Sequence, residues 1–358
     1  MELGITGLPS TGKTTLFNAL TGESVETGGY SKSQDPHLAV VKVPDTRVDT
    51  LSAMFEPKKT THAIVQYADV AGLPIGQTDS RSQFLSALRT VDALIHVVRA
   101  FESETMPLPE GGIDPERDIE VFDLELILAD LELIERRIDR LRREVQAGRR
   151  EGEAELNVLK RCHEALSAEK PLRALDFQRE EERLIRGYQF LTLKPMIIVV
   201  NIGEGQTSEE AAIAAKLSQY AEAADTSLAV LCAELEMEIA QLDEADQVPF
   251  LEELGVTEPA LFRLIRESYA LLDVISFFTV GKDEVRAWTV KRGSTAPDAA
   301  GAIHSDLQRG FIRAEVVTYD DLIETGSLAA ARDTGKLRVE GKSYVVQDGD
   351  ILNIRFNL

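Results

Sequence analysis

The sequence predicts a three-part α/β chain: a domain built on a mostly parallel sheet, an α-helical coiled-coil hairpin inserted into it, and a small C-terminal α+β domain. Three observations lead there. Short apolar segments rich in β-branched residues alternate with helix-compatible stretches on both sides of the chain's middle, the pattern of a parallel sheet with crossover helices. The alternation stops between about Pro115 and Gln189, where Ile127, Leu131, Ile134, Ile138, Leu141 and Val145 recur at spacings of 3 and 4. From near Ile275, short strands with glycine turns surround one short helix, and charge is nearly balanced, at 11 Lys+Arg against 12 Asp+Glu from Gly281 onward.

Taken in order, Glu2–Thr6 reads as a strand, a Gly-rich turn follows, and Lys13–Leu20 has helical spacing. Strands are expected at Leu38–Val43, Ile64–Val70, Ala93–Arg99, Met196–Asn201 and Ser227–Cys232. The apolar stripe from Ile127 to Val145 predicts one arm of the hairpin. Gly148 and Gly152 interrupt it, and Leu156, Leu159, Cys162/His163 and Leu166 predict the second arm. Beyond Ile275, strands are expected at Val285–Val290, Ile312–Thr318, Leu337–Glu340, Ser343–Val346 and Ile351–Phe356, with a helix around Ala299–Leu307. The resulting division is 1–114 with 191–274, the insert 115–190, and 275–358.

The chain of 358 residues is long enough for two or three cores, and 44% hydrophobic with 28% charged residues describes a folded protein. A net charge of −22 repels bare phosphate backbones, which disfavours nonspecific DNA coating. Cys162 and Cys232 are too few for a disulfide scaffold or a Cys-rich zinc site and fit a reducing cytoplasm. The longest apolar run found, Met196–Val200, is far short of the ~20 residues of a membrane span, and the early loop leaves no room for a signal peptide. Neither a membrane nor sequence-specific DNA is an expected partner. His37, His62, His96, His163 and His304 are scattered, so each is read as structural.

Chemistry enters with Gly7-Leu8-Pro9-Ser10-Thr11-Gly12-Lys13-Thr14, which matches G-x-x-x-x-G-K-[ST] between a predicted strand and a predicted helix. In such a loop the backbone of Leu8, Pro9, Ser10, Thr11 and Gly12 cradles phosphates. Lys13 reaches the terminal ones, and the hydroxyl of Thr14, next to Thr15, coordinates Mg²⁺. A second strand should end in an acid of the Mg²⁺ shell. Asp69 fills that place, and Gly72 completes a D-x-x-G whose backbone N–H senses a γ-phosphate. Base reading is expected from the loop after Met196–Val200, Asn201-Ile202-Gly203-Glu204, where N-K-x-D would mark a guanine reader. The lysine is absent and the acid one methylene longer. Cys232-Ala233-Glu234, after the next strand, occupies the place where a backbone amide faces the base.

Together GLPSTGKTTLFNALTG, DVAGL, HVVRAFE, LRALDF, FLTLKP, NIGE and VRAWTVKRGSTAPDAAGAIHSDLQRGFIRAEVV resemble the YchF/Obg-like ATPase family over nearly the whole chain. The resemblance implies a P-loop G-domain, a coiled-coil insertion and a C-terminal TGS domain of ubiquitin-like β-grasp fold. It implies ATP favoured over GTP, Mg²⁺ as cofactor, and the ribosome, through a subunit and its rRNA, as partner. Seven arginines between Arg136 and Arg150 (136, 137, 140, 142, 143, 149 and 150) form a basic patch suited to RNA phosphates.

Where the family has GLPNVGKS, Ser10 replaces an Asn; Ser33 stands at the switch threonine, keeping a hydroxyl for Mg²⁺. The glycine-rich stretch after DVAGL is shortened, and the loop after HVVRAFE lacks the histidine proposed to aid hydrolysis. Leu73 takes the place of the water-orienting Gln of Ras-like enzymes. The expected activity is therefore a slow ATP-hydrolysing switch. The alternative is a nucleotide-gated ribosome- or RNA-binding adaptor with little or no hydrolysis.

Overall fold

The computed structural model describes residues 1–22, 37–74, 78–104, 106–109, 111–146, 152–222 and 225–357. The chain begins with β1 (Glu2–Thr6), α1 (Lys13–Thr21), β2 (His37–Lys42), α2 (Thr46–Phe55), β3 (Lys59–Thr61) and β4 (Ile64–Asp69). It continues with α3 (Thr78–Thr90), β5 (Ala93–Arg99), α4 (Pro115–Gln146), α5 (Glu153–Ser167), α6 (Arg179–Ile185) and β6 (Met196–Asn201). Next come α7 (Glu210–Leu217), β7 (Thr226–Leu231), α8 (Ala233–Gln241), α9 (Glu244–Glu253) and α10 (Ala260–Leu271). The remainder is β8 (Val274–Thr279), β9 (Glu284–Lys291), α11 (Ala296–Ile303), α12 (Ser305–Arg309), β10 (Phe311–Thr318), α13 (Tyr319–Thr325), α14 (Leu328–Asp333), β11 (Arg338–Glu340) and β12 (Asp350–Phe356).

Two compact units emerge, Met1–Ala39 with Gln66–Leu264, and Val40–Val65 with Ile265–Leu358. The first carries a six-stranded sheet in the order β2-β4-β1-β5-β6-β7, and its β4-β1-β5-β6-β7 core pairs in parallel. Strands β5 and β6 are buried along their whole length because helices cover both faces, which is why they read as continuous apolar runs. On one face Leu94, Val98, Met196, Ile198 and Val200 pack against Ile119, Phe122 and Leu126 of α4 and Phe84 and Leu88 of α3.

The predicted hairpin is present as α4 packed on α5, with Ile127, Ile134, Ile138 and Leu141 meeting Leu156, Leu159, Cys162 and Leu166 in a second core. Rather than forming a separate body, it clusters with the first unit. Asp130, fully buried on α4, accepts hydrogen bonds from the Thr192 backbone N and Oγ1, both at 2.8 Å, and pairs with Arg89 of α3 at 3.1 Å. Arg81 of α3 pairs with Glu125 at 2.8 Å. These bonds fix the base of the hairpin to the helix that follows the D-x-x-G segment.

In the second unit, β9-β8-β12-β10-β11 pair with the parallel β8 and β12 at the centre and antiparallel neighbours outside, a β-grasp order. Residues 40–65, expected in the nucleotide domain, belong to this unit. Strand β3 extends the sheet by pairing in parallel with β9, and Arg47 at the start of α2 pairs with Asp348 at 2.7 Å. The predicted helix around Ala299–Leu307 is two helices, because His304 is extended at φ −165° and caps α12. The strand expected at Ser343–Val346 is a turn with one bridge, Thr295 to Val345.

Candidate nucleotide-binding site

The Gly7–Thr14 loop joins β1 to α1 at the carboxyl edge of the parallel strands, where ligands of open α/β sheets gather. Glycine is required at both ends of it. Gly7 has φ 142°, and a β-carbon there would lie 2.4 Å from the Val97 carbonyl oxygen; Gly12 has φ 89°, and one there would lie 2.2 Å from Asn201 Nδ2. Ser10 also adopts a left-handed φ of 61°, a region in which the Asn expected from the family sits with less strain. Gly12 is the N-cap of α1 and supplies no side-chain hydrogen bond, so the first-turn N–H groups remain available to an anion.

Lys13 Nζ donates to the Leu8 carbonyl at 2.6 Å, and Thr11 Oγ1 donates to the same oxygen at 3.2 Å. Desolvation by the surrounding loop lowers the Lys13 amine to about 8, against a smaller opposing pull from Asp69. Thr14 Oγ1 donates to Asp69 Oδ2 at 3.1 Å, which brings the two expected Mg²⁺ ligands together. Burial raises the Asp69 carboxyl, and Thr14, Lys13 and His37 oppose that shift. Gly72 lies against the lysine, since a β-carbon on it would stand 2.8 Å from Nζ. Leu73 N donates to the Gly7 carbonyl at 3.0 Å, tying D-x-x-G to the phosphate loop, while its side chain is buried in the core. Pro9 and Ser10 are exposed and Thr15 is partly so; Ser33 lies outside the described residues.

The base side differs from expectation at three residues. Asn201, expected to read a base edge, instead braces the site: its Nδ2 donates to the Thr11 carbonyl at 3.0 Å and its Oδ1 accepts from Ala233 N at 2.9 Å. Ala233 N, expected among the amides facing the base, is thereby engaged. Ile202 is 2% exposed and packs in the core, with its N–H bonded to the Leu231 carbonyl so that the strand pairing continues past Asn201. Glu204 opens an exposed 3-10 turn, and Glu234 is likewise exposed. Cys232 is buried as the N-cap of α8, and burial pushes its thiol up.

One aromatic escaped the sequence reading. The ring of Phe101 would lie 3.8 Å from a β-carbon on Gly12, and its Cβ 3.6 Å from one on Gly203. An aromatic two residues beyond a strand that ends at the loop was the available signal. His96, fully buried beneath the loop and stacked on Phe122 at 4.0 Å, is lowered to about 3 by burial, so it is a neutral structural ring at physiological pH.

The donor set fits Mg²⁺, a hard cation that takes one or two protein oxygens and completes its shell with phosphates and water. Thr14 and Asp69 supply such oxygens on adjacent elements. Among the described residues no group of three or more His, Cys, Asp or Glu could enclose a metal by itself. No described helix is long and apolar enough to cross a membrane.

Residues 2–137 match the family model described as "50S ribosome-binding GTPase", and residues 274–357 match the model of the YchF GTPase C-terminal domain, described as a protein of unknown function. The "Ribosome-binding ATPase YchF" of Bacillus subtilis (strain 168) is 43% identical over 364 residues, covering 100% of both chains. That of Escherichia coli O157:H7 is 40% identical over 361 residues, covering 100% of this chain and 99% of its own. The solved Schizosaccharomyces pombe YchF GTPase superposes with a TM-score of 0.86 at 30% identity, over 99% of this chain and 97% of that one. With a phosphate loop joined to a helical hairpin and a β-grasp unit, and with identity of this extent along the whole chain, the protein belongs to the YchF family.

Proposed function

We propose that this chain is a Mg²⁺-dependent nucleoside triphosphatase that prefers ATP to GTP and acts as a slow switch on the ribosome. The observation that carries the reading is the convergence of Lys13, Thr14, Asp69 and Gly72 on one phosphate loop, braced from behind by Asn201. Lys13 would turn from the Leu8 carbonyl to the terminal phosphates, the first-turn amides of α1 would cradle them, and Thr14, Ser33 and Asp69 would hold the cation. Bound there, Mg²⁺ neutralises charge on the phosphate oxygens.

The preference for ATP is supported by what the base loop lacks. With Ile202 in the core, no lysine lies across the loop, and Phe101 occupies the neighbouring space against Gly12. Glu204 is exposed, which supports a carboxylate turned away from adenine N1, and the backbone around Glu204 and Glu234 is left to read the base. Slow turnover is supported by Leu73, whose buried apolar side chain cannot orient a water. The same observation favours the second reading, an adaptor with little or no hydrolysis.

Ribosome binding comes to this chain from the names of its relatives and from the hairpin's arginines. Local pairing reduces the net charge of that patch: Arg136 pairs with Glu132, Arg137 with Glu155, Arg140 with Glu144 and Arg142 with Asp139. Arg149 and Arg150 lie outside the described residues. Titrating ATP and GTP with Mg²⁺ and with EDTA tests the binding reading, and phosphate release with and without ribosomes separates switch from adaptor. Tighter ATP than GTP, Mg²⁺ dependence and turnover on the order of one per minute or less are expected. Equal affinity for the two nucleotides would remove the ATP preference.

A further inference from the structure

We infer that Arg99 is a positioning residue for the base half of the site, holding the carbonyls of Phe101 and Pro107 so that the ring of Phe101 stands where a purine stacks. The inference rests on the nucleotide reading above and deepens it.

Arg99 ends β5, in register with Asn201, and the following Ala100 N donates to the Asn201 carbonyl at 2.8 Å. Its side chain is the largest fully buried one among the described residues. No carboxylate among those residues pairs with it. Instead Nε donates to the Phe101 carbonyl and Nη1 to the Pro107 carbonyl, each at 3.1 Å, and the guanidinium lies over the Phe101 ring at 4.8 Å from its centroid. Nη2 is buried with no partner.

Burying a guanidinium without a counter-ion is costly, so its presence calls for a task that a neutral side chain cannot perform. A planar fork can bridge two carbonyls at the two ends of a loop and also stack on a ring; an ammonium offers neither the fork nor the plane. The loop it closes is the one that carries Phe101. Phe101 lies beside two glycines, its ring 3.8 Å from where a β-carbon on Gly12 of the phosphate-binding helix would stand and its Cβ 3.6 Å from one on Gly203 of the base loop, and it remains partly exposed. Aromatic stacking on a base tolerates any base but is strongest with purines, and it contributes nothing to a ligand without a base. Arg99 therefore acts on nucleoside recognition, whereas Lys13 acts on the phosphates.

The test compares full-length wild type with Arg99→Met, Arg99→Lys, Phe101→Leu and the Arg99→Met/Phe101→Leu double variant, each titrated with Mg-ATP and with Mg-tripolyphosphate. Arg99→Met and Phe101→Leu should each weaken ATP about tenfold while changing tripolyphosphate by less than twofold. Arg99→Lys should fall between them and wild type, and the double variant should be no weaker than the poorer single one. If Arg99→Met weakens both ligands equally, Arg99 merely supports the phosphate loop and the assignment fails. It fails also if ATP binding is unchanged, or if the two substitutions multiply. Should Arg99→Met not fold, the assignment stands or falls on Arg99→Lys weakening ATP selectively. Wild type binding neither ligand would instead overturn the nucleotide reading itself.

Discussion

The amine of Lys13 should make nucleotide affinity depend on pH between 7 and 9. Desolvation places it at about 8, so the charged form outnumbers the neutral one by about ten to one at pH 7 and is outnumbered by about ten to one at pH 9. If only the ammonium form holds the terminal phosphates, Mg-ATP affinity should fall about tenfold between pH 7 and pH 9, or about 1.4 kcal/mol. Neighbouring groups do not imitate the effect: burial lowers the His96 ring to about 3 and moves the Cys232 thiol upward, both away from this window. Stability should move the other way. The folded-state value lies below the unfolded 10.5, so between about 8 and 10.5 the unfolded chain binds more protons and unfolding free energy rises with pH. The gap corresponds to about 3 kcal/mol at most. Calorimetric titration of Mg-ATP from pH 7 to 9.5, on wild type and Lys13→Met, reads the first effect; urea unfolding over the same range, wild type minus variant, reads the second. A flat affinity profile for wild type, or a slope that survives in Lys13→Met, would refute the reasoning.

Three further outcomes are expected. Gly12→Ala should cost about 1–2 kcal/mol in backbone strain and about 0.5–1.5 kcal/mol for each Asn201 bond it displaces, so ATP affinity should drop by more than an order of magnitude; full affinity in that variant would contradict the brace. Asp130→Ala leaves Arg89 and the Thr192 amide facing each other with no carboxylate between them and should lower unfolding free energy by about 3–5 kcal/mol in chemical denaturation, a loss under 1 kcal/mol counting against the node. Replacing Arg142 and Arg143 with Glu should abolish salt-sensitive co-sedimentation with ribosomes at low salt, and undiminished pelleting would exclude this part of the hairpin as the contact.

Much of this protein can be read directly from its linear order. The phosphate loop, Asp69 with Gly72, the continuous apolar strands and the 3-and-4 stripe from Ile127 to Val145 are local patterns, set by backbone freedom at Gly7 and Gly12 and by the periods of strand and helix. The resemblance carried the β-grasp unit, because a long string of matching residues encodes a fold without any contact being known. Tertiary structure decided what depends on which group meets which. Residues 40–65 joined the C-terminal unit because strand β3 found an edge on β9, a pairing across more than two hundred residues that no local period records. Asn201 became a brace because Thr11 and Ala233 converge on its amide, and Ile202 became part of the sheet core. Phe101 came to lie beside Gly12 and Gly203, both distant in sequence, and Arg99 to bridge the Phe101 and Pro107 carbonyls. Spacing specifies the conformation of a segment, whereas partners at long range, and with them the roles of buried polar groups, exist only once the sheet has assembled.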